Sequence, residues 1–137
     1  MSSEKLPLVL LVEDNAADAN LVQEALAEHR VDSALQILND GAKAIDFIER
    51  MDADEAQPCP DLVLLDLNLP KTNGEEVLRR LQRSPRRQQI KVLIISSSNI
   101  PADRERAFAL GANGYFRKPS NLDEYMLLGP RVRELLT

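Results

Sequence analysis

Three acids, one hydroxyl and one ammonium stand out in this chain because each closes or follows a short apolar run. "LVLLVEDN" ends on Glu13 and Asp14, "LVLLDLN" delivers Asp66, "KVLIISSS" delivers Ser96, and "GYFRKP" delivers Lys118 just before Pro119. Each has an ordinary explanation when taken alone. Asp14 and Asn15 suit the start of a helix near Ala16. Asp66 suits an Asx-turn, Ser96 a loop and Lys118 a solvated segment. The set asks for more, because three carboxylates brought to one place raise one another's pKa and no capping need explains them all. A hard divalent cation with oxygen ligands relieves that repulsion, and Mg²⁺ typically takes one or two carboxylates together with substrate phosphate oxygens. Adding a free carboxylate, a hydroxyl donor and a lysine completes the equipment for phosphoryl transfer to an aspartate.

The elements that must position these groups alternate along the chain. Apolar runs at Leu8–Val12, Leu35–Leu38, Leu62–Leu65, Val92–Ile95 and Gly114–Arg117 read as strands. Between and after them lie helical patterns at Ala17–Glu28, Ala42–Arg50, Glu75–Arg83, Ala102–Leu110 and Leu122–Leu136. In the first helix Leu21 and Ala25 repeat at i, i+4, as do Val22 and Leu26; in the second, Ile45 and Ile48 share a face. Strand–helix alternation repeated in this way predicts βαβ units, hence an α/β fold with a parallel sheet covered by helices on both faces. The first, third and fourth strands are continuous apolar runs, as expected of strands covered on both sides. "ALQIL" carries the polar Gln36 and suits a sheet edge, while "RMDADEAQPCP" reads as a loop. In open doubly wound sheets ligands bind outside the carboxyl ends of the strands, where the strand order switches. Those ends are where Glu13, Asp14, Asp66, Ser96 and Lys118 fall.

Length and charge narrow the classes. A chain of 137 residues supports one domain, with residues 1–7 expected as a flexible tail. A net charge of −5 argues against general nucleic-acid binding, which needs a basic face. The apolar runs are far too short to span a membrane, and "MSSEKLPL" lacks the regions of a signal peptide, so a cytoplasmic address is expected. Cys59, the single cysteine, sits between Pro58 and Pro60 and reads as an inert surface thiol. "RRLQRSPRRQQIK" reads as a solvated helix end whose positive charge suits the helix dipole, and His29 as a surface residue at the end of the first helix.

Nearly end to end, through "VLLVEDN", "LVLLDLNLPKTNG", "VLIISSS" and "GANGYFRKPSNLDEY", the chain resembles a bacterial response-regulator receiver domain. The resemblance implies a flavodoxin-like fold, a doubly wound five-stranded parallel sheet of order 2-1-3-4-5 with five helices. It implies Asp66 as phosphoacceptor, with Mg²⁺ held by Glu13, Asp14, Asp66 and the backbone carbonyl of Asn68. Ser96 matches the hydroxyl that bonds the phosphoryl group, Lys118 the cation that pairs with it, Tyr115 the aromatic that switches with Ser96, and Lys118-Pro119 a cis peptide. "VEDNAADANLVQEAL", "GAKAIDF" and "DLNLPKTNGEEVL" resemble the stand-alone regulators associated with phytochrome histidine kinases. The implied partners are a sensor histidine kinase, of phytochrome type, and a downstream protein target or phosphotransfer protein. No DNA contact, no attached output domain and no independent substrate turnover are expected. The departures are Ser96 for the commoner threonine, Leu69 where methionine is frequent, and Gly129-Pro130 interrupting the last helix.

Two other classes compete. A haloacid-dehalogenase-like phosphatase also uses an aspartate after an apolar strand with Mg²⁺, but it wants a second acid where Asn68 stands. A phosphorylation-independent binding module usually lacks part of the acidic cluster or the lysine, and here all are present. Self-association is a further expectation. If Leu122 and Met126 face the sheet, then Tyr125, Leu128, Val132 and Leu135 form a second apolar stripe, which with Phe116 suits a homodimer through helix 4, strand 5 and helix 5. The competing arrangement has Pro130 break the helix and turn that stripe into core.

Overall fold

Side chains alternate between the two faces of the inner strands, and that alternation divides the core into two layers. The computed structural model describes residues 6–69 and 73–137. Its strands β1 (Leu8–Val12), β2 (Ala34–Leu38), β3 (Leu62–Asp66), β4 (Lys91–Ser96) and β5 (Gly114–Arg117) form one parallel sheet in the order β2-β1-β3-β4-β5. Helices α1 (Ala16–Glu28), α2 (Gly41–Ala53), α3 (Gly74–Gln82), α4 (Pro101–Ala109), α5 (Leu122–Tyr125) and α6 (Leu128–Leu136) cover it, with one 3-10 turn at Arg87–Gln89. Leu10, Val12, Val63, Leu65, Val92 and Ile94 point to the layer of α2, α3 and α4, meeting Ile48, Met51, Leu78, Leu81 and Ala107. Val9, Leu11, Leu62, Leu64, Leu93 and Ile95 point to the layer of α1, α5 and α6, meeting Val22, Leu26, Leu128 and Val132. This is the covered parallel α/β sheet that the strand–helix alternation predicts, in the flavodoxin-like strand order that the resemblance implies.

Local chemistry sets the helix starts. Asn15, Asp40, Asn73 and Asn121 each accept a hydrogen bond from the backbone N–H three residues on, capping α1, α2, α3 and α5. Strand β2 is an edge, as Gln36 suggested, and its Ile37 is 40% exposed. The stretch "RMDADEAQPCP" is a loop only in its later part, since α2 runs on to Ala53.

The last helix departs from its expected form. It stops at Tyr125 and restarts at Leu128. Pro130 has no N–H to give the carbonyl four residues back, Met126, and that oxygen accepts from Gly129 N at 3.1 Å instead. Within α6 Pro130 is a third-position residue, where an N–H would lack an intrahelical partner anyway. Gly129 lets this start lie against α1, because a Cβ there would come within 2.6 Å of the Ala25 carbonyl and of His29 Cδ2. The result overturns the two-stripe reading. Tyr125, Leu128 and Val132 are buried in the domain's own core, and Leu122, expected to face the sheet, is 53% exposed. The homodimer loses the surplus stripe that argued for it. No cis peptide bond occurs among the described residues, so Lys118-Pro119 is trans, against the expected isomer; the two forms at a proline differ by only about 0.5–1 kcal/mol.

The basic segment after α3 is also more than a solvated helix end. Arg80 pairs with Asp52 at 2.8 Å with both side chains less than one-fifth exposed, and Ser84 Oγ donates to the same carboxylate at 2.6 Å. Arg86 donates to the carbonyls of Met51 and Gln57, and Arg87 to those of Ile90 and Gly111. These arginines terminate carbonyls at the amino-terminal edge of the sheet, opposite the carboxyl ends. Asp52→Ala strands the Arg80 guanidinium and the Ser84 hydroxyl in a mostly dry place, and should destabilise the fold by about 1–3 kcal/mol in a denaturant titration.

Candidate functional site

Parallel pairing places the ends of β1, β3, β4 and β5 side by side, and two backbone hydrogen bonds extend that order past the strands. Glu13 N donates to Leu38 O at 3.0 Å and Lys118 N donates to Ser96 O at 2.7 Å, so both residues leave the sheet in fixed directions. Asp66 is the final residue of β3, and Ser96 of β4. One oxygen each of Glu13, Asp14 and Asp66 lie within 4.8 Å of one another, Glu13 and Asp66 buried and Asp14 exposed. Asp66 Oδ1 accepts from Asn68 N at 2.9 Å, and Glu13 Oε2 accepts from Asn15 N at 3.1 Å.

Lys118 holds the cluster together. Its Nζ lies 2.7 Å from Glu13 Oε1, 3.1 Å from Asp66 Oδ2 and 3.1 Å from Asp18 Oδ2. Burial works against the ammonium's charge, yet the Glu13 and Asp66 carboxylates outweigh it and push its pKa up. The Glu13 pKa is also pushed up, to about 7, which for a carboxylate favours the neutral form; burial is the chief cause and the Lys118 contact opposes it. Glu13 Oε1 is buried, and among the described residues its close partner is the Lys118 ammonium, an ion pair whose alignment is poor for a hydrogen bond. A buried carboxylate oxygen, held only by a poorly aligned ion pair and facing two further acid oxygens, is a donor set for a hard divalent cation. The residues fit such an ion.

The groups that the sequence singles out do not all touch. Glu13, Asp14, Asp66 and Lys118 meet directly. Ser96, 1% exposed, opens instead on a neighbouring cavity of about 240 Å³ that Asn68, Leu67 and Ser98 also line. Ser96 Oγ accepts from Ser98 N at 3.1 Å, and Tyr115, buried beneath, donates from its hydroxyl to Ser98 O at 3.2 Å. Pro70 of "DLNLPKTNG" lies outside the described residues. Sequence reasoning missed Asp18 and Tyr125, whose hydroxyl lies 3.3 Å from Asp18 Oδ1. The available signal was slight: Asp18 is an acid in the first turn of α1, close in sequence to Glu13 and Asp14.

The model of the response regulator receiver domain matches residues 9–128. The chain belongs to this family. It is 40% identical over 126 residues to response regulator Rcp1 of Synechocystis sp., covering 90% of this chain and 86% of Rcp1. Among solved structures it is similar to the phosphorylated cyanobacterial phytochrome response regulator RcpA, with a TM-score of 0.83 at 34% identity over 96% of this chain and 94% of RcpA. It is similar too to the Mn²⁺-bound form of Rcp1, with a TM-score of 0.81 at 37% identity over 93% and 92% of the two chains. As a response-regulator receiver, the protein accepts a phosphoryl group and signals in a two-component system, and the phosphatase alternative falls away. No helix among the described residues is long and apolar enough to cross a membrane.

One glycine couples α3 to the site. A Cβ on Gly74 would lie 2.3 Å from Asp66 O and 2.5 Å from Leu67 Cα, so this first residue of α3 rests directly on the backbone of the acid. Gly74→Ala should cost about 1–3 kcal/mol of stability in denaturant unfolding and, by displacing Asp66, weaken divalent-cation binding in the same protein.

Proposed function

We propose that Asp66 is the phosphoacceptor of this receiver, with Mg²⁺ held by Glu13, Asp14, Asp66 and the backbone carbonyl of Asn68. The observation that carries this reading is an acid only 4% exposed at the carboxyl end of a central strand, facing two more acids and one ammonium. Folding alone gives no reason to gather them there. When bound, the cation supplies charge neutralisation for the roughly two negative charges that a phosphoryl group brings. The chain's own residues do the rest. An Asp66 carboxylate oxygen forms the new bond to phosphorus as the bond from phosphorus to the donor's histidine nitrogen breaks, its electron pair leaving with the imidazole. Lys118, already 3.1 Å from Asp66 Oδ2, turns to the phosphoryl oxygens. Ser96 uses its oxygen to accept from Ser98 N and so retains a hydroxyl hydrogen for the phosphoryl group.

The switch in this reading is Ser96 with Tyr115. The two are linked through Ser98, whose N–H bonds Ser96 and whose carbonyl bonds Tyr115, so drawing Ser96 toward a phosphoryl group pulls on the aromatic ring below. We further propose a histidine kinase of phytochrome type as donor, supported by the similarity to RcpA and Rcp1. The same reading has a cytoplasmic address, loss of the phosphoryl group assisted by the receiver's own site, and a protein target or phosphotransfer protein downstream. Self-association through α4, β5 and the last helical stretch, α5 with α6, belongs to the proposal on a new footing, the exposed Phe108 of α4 and Ile100 at its cap.

Labelling by acetyl phosphate or a phosphohistidine donor tests the assignment. The wild type should label only with Mg²⁺ present, Asp14→Asn should need more Mg²⁺, and Asp66→Asn should not label. Labelling of Asp66→Asn at the wild-type level would overturn it.

A further inference from the structure

Lys118 faces three carboxylates, and one of them has no place in the proposed chemistry. Glu13 and Asp66 belong to the acidic set that could hold a cation; Asp18 does not, although it lies as close to the ammonium as Asp66 does, at 3.1 Å. Asp18 sits in the first turn of α1, where a carboxylate is favoured by the helix dipole wherever its side chain points. The dipole does not explain where this one points. Its Oδ2 meets Lys118, with side chains 26% and 12% exposed. Its Oδ1 meets the hydroxyl of Tyr125, which is 2% exposed and packs on Phe116 with ring centroids 6.0 Å apart. The carboxylate is therefore buttressed from α5 while it holds a lysine delivered by β5. Burial first, and then the Asp18 charge, push the Tyr125 phenol's pKa up, so this hydroxyl keeps its proton and donates.

We infer that Asp18, fixed by Tyr125, is a positioning residue for Lys118 in phosphoryl acceptance. This rests on Asp66 being the phosphoacceptor. Once a cation engages Glu13 and a phosphoryl group occupies Asp66, both carboxylates have other partners. Asp18 alone keeps its charge for the ammonium, holding Nζ beside the phosphoryl oxygens instead of letting the long side chain swing to solvent. Removing it leaves the helix start intact, because the α1 cap runs from Asp18 N to Asn15 Oδ1 and needs no Asp18 side chain.

The test measures the rate at which acetyl phosphate labels Asp66 at saturating Mg²⁺, in the wild type, Asp18→Ala, Asp18→Asn, Tyr125→Phe, Lys118→Ala and the double variant Asp18→Ala/Lys118→Ala. Asp18→Ala should slow labelling about tenfold, the low end of what losing a positioning partner costs. Asp18→Asn, which keeps the shape without the charge, should slow it too, and Tyr125→Phe should slow it by less. In the Lys118→Ala background the Asp18 change should alter the rate by less than about twofold, as expected if it acts through the lysine. Equal rates for wild type and Asp18→Ala overturn the inference while leaving Asp66 as acceptor. An equal slowing in both backgrounds overturns it as well, making Asp18 a structural charge on α1. A folded wild type that never labels removes the acceptor assignment and this inference with it.

Discussion

Lys118 Nζ stands within 3.1 Å of carboxylates from the end of β1, the first turn of α1 and the end of β3, and the carboxyl edge of the sheet depends on that contact. Oxygens of Glu13 and Asp66, both buried, lie within 4.8 Å of each other. If both were charged they would repel by about 3–4 kcal/mol at an effective dielectric near 20. A domain's whole stability is about 5–15 kcal/mol, so a repulsion of that size has to be answered locally. The lysine answers part of it. Glu13 answers another part by holding its proton more tightly, with a pKa pushed up to about 7 mainly by burial. What remains is a Glu13 Oε1 paired only with a poorly aligned ammonium and an exposed Asp14 beside it, a set of oxygens suited to a divalent cation.

This charge problem explains why the surrounding scaffold is stiff at the edge. Glu13 and Lys118 are held by backbone bonds that continue the sheet, and Asp66 by a glycine contact from α3 and an N–H from Asn68. The buried Glu13 and Asp66 have little room to swing away. Ser96 differs: among the described residues its hydroxyl bonds only the Ser98 N–H, and Ser98 is tied to Tyr115. The buried acids and the linked hydroxyl–aromatic pair are held differently, as the proposed switch requires.

The fold was legible because strand and helix patterns alternate without ambiguity and because β1, β3 and β4 read as runs covered on both faces, leaving β2 with Gln36 as an edge. The acids, the serine and the lysine were legible as strand-end residues, since a parallel sheet gathers such ends whatever the helices do. Asp18 and Tyr125 were not, because their meeting depends on where a short α5 docks across α1, a contact between residues 107 apart in sequence. The last helix misled for a related reason. A stripe at heptad-like spacing assumes a continuous helix, and Pro130 instead restarts the helix and turns Tyr125, Leu128 and Val132 inward. Arginines near Ser84 looked like solvated charge because carbonyl partners in distant loops leave no periodic trace in sequence.

On the proposed reading, one lysine and one divalent cation share the task of neutralising this acidic edge. Thermal unfolding of Lys118→Met at pH 8, in chelator and then in excess Mg²⁺, tests it most directly. The variant should be less stable than wild type in chelator and should gain more from Mg²⁺ than the wild type does. A variant as stable as wild type in chelator, with the same gain from Mg²⁺, would contradict it.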